Sequence, residues 1–228
     1  MGFWIASGVA FGIAYLFGST PTGYLAGKLL KGIDIREHGS KSVGATNVLR
    51  TLGKWPGLVV LLVDVMKGVG AIVFVRWFYR WIYTVPSITP PSELDLQTWL
   101  PWAVCLAGLA VLLGHGRSIW LNFTGGKSVA AGLGVLLAMS WPVGIGAAMV
   151  FGVVLAIFRI VSLSSMLAAL TAIALICGSD QPAPYRLLVI AGGVYVIARH
   201  RANIRRLLAG TEPRLGQNSP ESKAESKI

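Results

Sequence analysis

Seven apolar runs, parted by short segments that hold most of the chain's Lys and Arg, leave this sequence few folds to choose from. The runs cover about 3–17, 56–78, 99–114, 128–140, 143–158, 163–177 and 186–198. A bilayer span takes ~20 apolar residues. A chain of 228 residues therefore holds six or seven short spans and no second, soluble domain of useful size. Of its residues 54% are hydrophobic and 13% charged, with a mean hydropathy of +0.68. Soluble domains carry about a quarter charged residues, so a disordered chain, a disulfide scaffold and an ordinary cytosolic enzyme are excluded. The expected fold is an all-α, polytopic membrane protein, with 1–216 as the seven-helix domain and 217–228 as a polar, disordered tail. Residues 1–7 lack the positive charge that opens a cleaved signal peptide and read as the start of a retained first span. Cys105 and Cys177 lie in apolar runs and read as small buried hydrophobes.

The net charge is +11 and the isoelectric point about 10.1. In a soluble protein that would suggest nucleic acid. Here the cations sit between apolar runs, which argues against nucleic acid and for membrane anchoring and anionic substrates. With the N-terminus outside, the inner segments hold 16 of the 20 Lys and Arg residues. The outer segments hold Arg76, Arg80 and Arg186, and Lys67 falls within a span. That asymmetry favours seven transmembrane helices, N-terminus outside and C-terminus cytoplasmic. Gly18-Ser19-Thr20-Pro21-Thr22-Gly23 breaks the first run, and the backbone groups it frees need partners in protein or water. Asp64 and Lys67, three residues apart within a span, are expected to pair. Asp64 has a second possible role in bracing Asn47 and Arg50.

Three polar segments, 39–50, 114–127 and 199–206, then share the cytoplasmic side. In the first, Ser40, Gly44, Thr46 and Asn47 combine small residues and hydrogen-bond donors, and Arg50 is a bidentate phosphate ligand. A short helix opening at Thr46 or Asn47 would add its N-terminal amides; a capped interfacial helix is the plainer reading. In the second, Gly125-Gly126-Lys127 opens a predicted helix, without the spacing of a P-loop. It reads as a phosphate cradle or as a turn with a snorkelling lysine. His115 ends a span, where it caps carbonyls or donates a hydrogen bond. In the third, His200 and Asn203 share one helical face, and Arg205 and Arg206 read as lipid anchors. No Gly-x-Ser-x-Gly elbow occurs, and no His is followed, after four intervening residues, by the Asp of an H-x-x-x-x-D pattern. With three histidines and no cysteine beside them, neither a zinc site nor any other metal or cofactor is expected. Direct transfer between two bound substrates is the natural scheme.

These segments resemble the bacterial membrane acyl-phosphate:glycerol-3-phosphate acyltransferase family over nearly the whole chain. The resemblance rests on Gly18-Ser19-Thr20-Pro21-Thr22-Gly23-Tyr24, Lys31-Gly32-Ile33-Asp34-Ile35-Arg36 and Gly44-Ala45-Thr46-Asn47-Val48-Leu49-Arg50-Thr51-Leu52-Gly53-Lys54. It rests also on Gly114-His115, on Gly125-Gly126-Lys127, and on the stretch from His200-Arg201 through Asn203 to Gly210-Thr211-Glu212-Pro213. Lys41-Ser42 stand where the family often has Gly-Asn, and Arg117-Ser118 where it often has Phe-Pro. The resemblance implies transfer of a fatty acyl group from acyl phosphate, rather than acyl-CoA, to the 1-hydroxyl of sn-glycerol 3-phosphate. The products are lysophosphatidic acid and phosphate, the first acylation of phospholipid synthesis at the bacterial inner membrane. The resemblance also implies that Ser40, Arg50 and Lys127 bind phosphate. The amides of residues 44–47, with Gly125 and Gly126, receive the acyl-phosphate head. Asn203 orients the acceptor, and His200 and His115 donate hydrogen bonds or shape the pocket. A monomer is expected. A membrane transporter and a lipid phosphate phosphatase are the alternatives.

Overall fold

The computed structural model describes residues 1–88 and 90–216; the tail at 217–228 lies outside the described residues. Among the described residues ten α-helices follow in chain order: α1 Gly2–Ser19, α2 Thr22–Lys31, α3 Ala45–Leu52, α4 Lys54–Ile82, α5 Leu96–Gly116, α6 Val129–Met139, α7 Trp141–Phe158, α8 Val161–Cys177, α9 Ala183–Arg199 and α10 Arg201–Leu208. No strand forms among the described residues. Each of the seven apolar runs is one helix. The short helices α2, α3 and α10 come from the basic segments between and after them.

Four helices, α1, α4, α5 and α7, are long and apolar enough to cross a membrane unaided, at 18, 29, 21 and 18 residues. Their outward positions are apolar too: Ile5, Val9, Leu62, Met66, Val153 and Ile157 are exposed. A bundle with polar faces would suit water; this one suits lipid. The chain is a multi-pass membrane protein.

The helices alternate in sense. Phe3 meets Tyr79 and Trp99 with ring centroids 6.1 Å apart in each case, which gathers the start of α1, the end of α4 and the start of α5 at one end of the bundle. At the other end Ser19 Oγ lies 3.1 Å from Ser118 Oγ. Helices α4 and α6 pack closely. A Cβ on Gly68 would strike the Ala131 carbonyl, and one on Gly134 the Val65 carbonyl, so glycine lets the two backbones touch.

At 11 residues α6 extends only about 16 Å, half of a hydrocarbon core. It ends inside the bundle, where its last carbonyls need donors. Arg76 supplies them. Its Nη1 donates to the Ala138 carbonyl at 2.6 Å, and its Nη2 to the Met139 carbonyl at 3.3 Å and to the Tyr185 hydroxyl at 3.2 Å. The sequence reading put Arg76 in an outer segment. The structure corrects this: it is part of α4 and caps a neighbouring helix from within.

Candidate active site

The break between α1 and α2 sets the first wall of the site. Pro21, with no N–H to give the Phe17 carbonyl, ends the α1 ladder, and the Thr20 carbonyl in the break accepts from the Thr22 amide and from Lys67 Nζ, both at 3.1 Å. Lys67 Nζ also lies 2.8 Å from Asp64 Oδ1, and the Thr22 hydroxyl donates to the same oxygen at 2.6 Å. The expected Asp64–Lys67 pair is therefore present, and it spans α4 and the α1–α2 break. Asp64 braces Thr22 through this bond, while Asn47 and Arg50 find other partners.

Asn47 is 1% exposed and organises the loop before α3. Its Oδ1 accepts from the Ser40 amide at 2.8 Å. Its Nδ2 donates to the carbonyls of Ile35, His38 and Ser42 at 2.9, 3.0 and 2.8 Å. That network leaves its side chain no donor for a substrate. The Gly44 amide donates to Ser42 Oγ at 3.3 Å and the Asn47 amide to the Gly44 carbonyl at 2.9 Å. Ala45 and Thr46 thus belong to the first turn of α3, which starts one or two residues earlier than the Thr46 or Asn47 read from sequence. Arg50 follows one turn on, its Nη2 donating to the Pro213 carbonyl at 3.4 Å.

The second wall is the turn before α6. The Gly126 amide donates to the His115 carbonyl at 3.0 Å. A Cβ on Gly126 would strike the His115 ring, so this glycine permits the stack. The residue after Lys127, Ser128, takes a left-handed φ of 62°, and its hydroxyl donates to the Leu112 carbonyl at 2.7 Å. That kink starts α6 and turns Lys127 toward the third wall, where its Nζ donates to Asn203 Oδ1 at 2.6 Å. Asn203 Nδ2 donates in turn to Glu212 Oε1 at 2.6 Å. Glu212 also accepts from Ser162 at 2.7 Å and from Arg206 Nε at 2.7 Å. Burial raises the Glu212 carboxyl, but these three donors outweigh it and hold it below the usual carboxylate range.

One cavity of about 450 Å³ joins the three walls. It takes in Ser40, Gly44, Thr46, Asn47, Arg50, His115, Lys127, His200 and Asn203. Gly125 and Gly126 stand behind it, their amide and carbonyls bonded to protein, so they shape the turn and do not line the space. Arg206, read as a lipid anchor, lines the cavity instead, because Glu212 draws it inward. Glu212, Ser162, Arg206 and Asp64 were not singled out as site residues. The signal for two of them was present: Arg206 follows Asn203 by three residues, and Glu212 is one of nine acidic residues in the chain. An apolar chamber of about 100 Å³ shares Ser128, Leu133, Phe151 and Ser165 with the cavity and runs on between α6, α7, α8 and α9.

Electrostatically the cavity is an anion site. Burial pushes Lys127 down to about 8; Arg206, Arg199 and Arg50 push the same way, while Glu212 opposes them. His200 is 2% exposed, and burial lowers it to about 4, against the hydrogen bond to Val196. It is therefore neutral at pH 7. Its Nδ1 lies 2.8 Å from the Val196 carbonyl, which requires the proton on Nδ1 and leaves Nε2 an acceptor. Of the two roles read from sequence, donating a hydrogen bond or shaping the pocket, this tautomer leaves Nε2 no proton to donate. No group of three His, Cys, Asp or Glu able to hold a metal occurs among the described residues.

Fold and site together define an integral membrane protein with a cationic cavity at one end of its helix bundle, beside an apolar chamber that shares part of its wall. A family model described as glycerol-3-phosphate acyltransferase matches residues 8–210. The chain is 82% identical over 217 residues to glycerol-3-phosphate acyltransferase 2 of Rhizobium johnstonii, covering 95% of this chain and 99% of that one. It is 56% identical to the glycerol-3-phosphate acyltransferase of Acaryochloris marina, covering 97% and 98%. The crystal structure of PlsY (YgiH), an integral membrane glycerol 3-phosphate acyltransferase in its glycerol 3-phosphate form, superposes with a TM-score of 0.79 at 34% identity, over 92% of this chain and 96% of that one. The chain belongs to the glycerol-3-phosphate acyltransferase family, and is an acyltransferase.

Proposed function

We propose that this protein transfers a fatty acyl group from acyl phosphate to the 1-hydroxyl of sn-glycerol 3-phosphate, giving lysophosphatidic acid and inorganic phosphate. The observation that carries this reading is the meeting of Arg50, Lys127 and Arg206, from three distant stretches, in one cavity with Asn203 and two carboxylates, Glu212 and the Asp64 already paired with Lys67. Two adjacent phosphates repel, and a surplus of fixed cations offsets that repulsion. The apolar chamber alongside suits a hydrocarbon tail. Arg50, Lys127 and Ser40 hold the phosphate of glycerol 3-phosphate. The first turn of α3, with Gly44, Ala45 and Thr46, receives the acyl-phosphate head. Asn203 and His200 Nε2 orient the attacking hydroxyl, and His115 supports the turn that carries Lys127.

In the reaction the C1 hydroxyl oxygen bonds the acyl carbon, the bond from that carbon to the phosphate oxygen breaks, and the hydroxyl proton passes to the leaving phosphate. The donor is already activated, so positioning supplies much of the rate. No covalent acyl-enzyme and no cofactor are needed. We place the cavity on the cytoplasmic side of the bacterial inner membrane, with seven crossings, the N-terminus outside and the protein monomeric.

Purified protein given palmitoyl phosphate with and without glycerol 3-phosphate, followed by product mass, tests the reading. Lysophosphatidic acid formed only with both substrates supports it. Phosphate release that ignores the acceptor would make the protein a phosphatase.

A further inference from the structure

We infer that Arg199 is a positioning residue for the reaction: from the end of α9 it pins the Gly125–Gly126 turn and so sets where Lys127 stands in the cavity. Arg199 Nη2 donates to the Gly125 carbonyl at 3.1 Å and to the Gly126 carbonyl at 3.0 Å. From the opposite side the His115 carbonyl accepts the Gly126 amide at 3.0 Å. The turn is thus gripped between α5 and α9, and both of its glycines are packed so tightly on His115 and Gly116 that a Cβ would collide. Two consecutive carbonyls on one guanidinium fix the direction of the next residue, which is Lys127. Both bonds come from the one nitrogen Nη2 at the far end of the side chain, and a lysine at 199, whose ammonium lies nearer its own backbone, does not bring a donor to that point.

Arg199 does not line the cavity and reaches the substrate only through this turn. It also acts through space. Its charge is one of those that depress Lys127; the others facing that ammonium are Arg206 of α10, Arg50 of α3 and, attracting it, Glu212 of the segment after α10. His200, His115 and Asp64 complete the titratable walls of the cavity.

The role rests on the proposed binding of glycerol 3-phosphate by Lys127, so its test has one readout that needs no turnover. In full-length protein in detergent, competitive labelling of Lys127 with acetic anhydride across pH, read by mass spectrometry, reports the lysine's titration directly. Wild type is expected to titrate near 8. Arg199→Gln is expected to move that titration upward, and Arg199→Lys, which keeps the charge, to leave it nearly in place. In the steady state Arg199→Gln should raise the KM for glycerol 3-phosphate by about tenfold or more with a smaller change in the KM for palmitoyl phosphate. Arg199→Lys should restore part of it. If Arg199→Gln elutes as a folded monodisperse protein, yet labels and saturates as wild type does, the assignment is overturned. If it fails to fold, Arg199→Lys decides: a KM equal to wild type overturns the assignment, and a raised KM with an unmoved titration supports it. If wild type transfers no acyl group, the proposed function fails, while the labelling shift still reads the Arg199 contact.

Discussion

Lys127 is the site cation whose charge lies within reach of ordinary pH. Its ammonium, held near 8 by burial, must stay protonated to hold a phosphate dianion. Binding is therefore full well below pH 8 and lost as pH rises through it. kcat/KM for glycerol 3-phosphate is expected to fall above about pH 8, and Lys127→Arg, which does not deprotonate, should remove that limb. A profile flat to pH 10 would take Lys127 out of the site. Asn47 shows where residue-level reading of the sequence stops. It was legible as a site residue because it sits among Gly, Ser and Thr next to Arg50. What it does was not legible, since all four of its partners are backbone groups, up to twelve residues away. Asn47→Ala strips those groups of their partner, at a cost on the order of 3 kcal/mol. Thermal unfolding in detergent should show a lower midpoint, together with a loss of turnover from the unpinned loop. An unchanged midpoint would contradict the clamp.

Among the helices, α6 departs furthest from what its sequence suggests. The run 128–140 was legible as apolar, and as short, because Trp141-Pro142 follows it. That it ends inside the bundle was not legible, because the donor that permits it comes from α4. Periodicity within a run does not report which neighbour caps it. Arg76→Met keeps length and apolar packing but leaves the Ala138 and Met139 carbonyls without their donor. The expected result is a midpoint several degrees lower, with the KM for glycerol 3-phosphate also raised, since α6 carries Lys127 at its other end. A variant as stable as wild type would mean the cap is dispensable.

At the scale of the whole molecule, the charge asymmetry of the loops and the alternation of helix sense point the same way. The end of the bundle that holds the start of α1 is opposite the end that holds His200 and α10. Single cysteines placed at residue 2 and at residue 208 in a chain lacking Cys105 and Cys177 should react with an impermeant maleimide from opposite sides of the membrane. Reaction from one side for both would break the topology. The meeting of segments 39–50, 114–127 and 199–206 was legible in outline, because an odd number of spans puts all three on one face. Their contacts were not, since Glu212 and Arg206 turn inward through pairing that only the packed structure shows. The most direct measurement is the initial-velocity pattern with palmitoyl phosphate and glycerol 3-phosphate varied together. Two anions held side by side require both substrates on the protein before either product leaves, so intersecting lines in double-reciprocal form are expected. Parallel lines, with palmitate found covalently on the protein after incubation with the donor alone, would contradict the shared cavity.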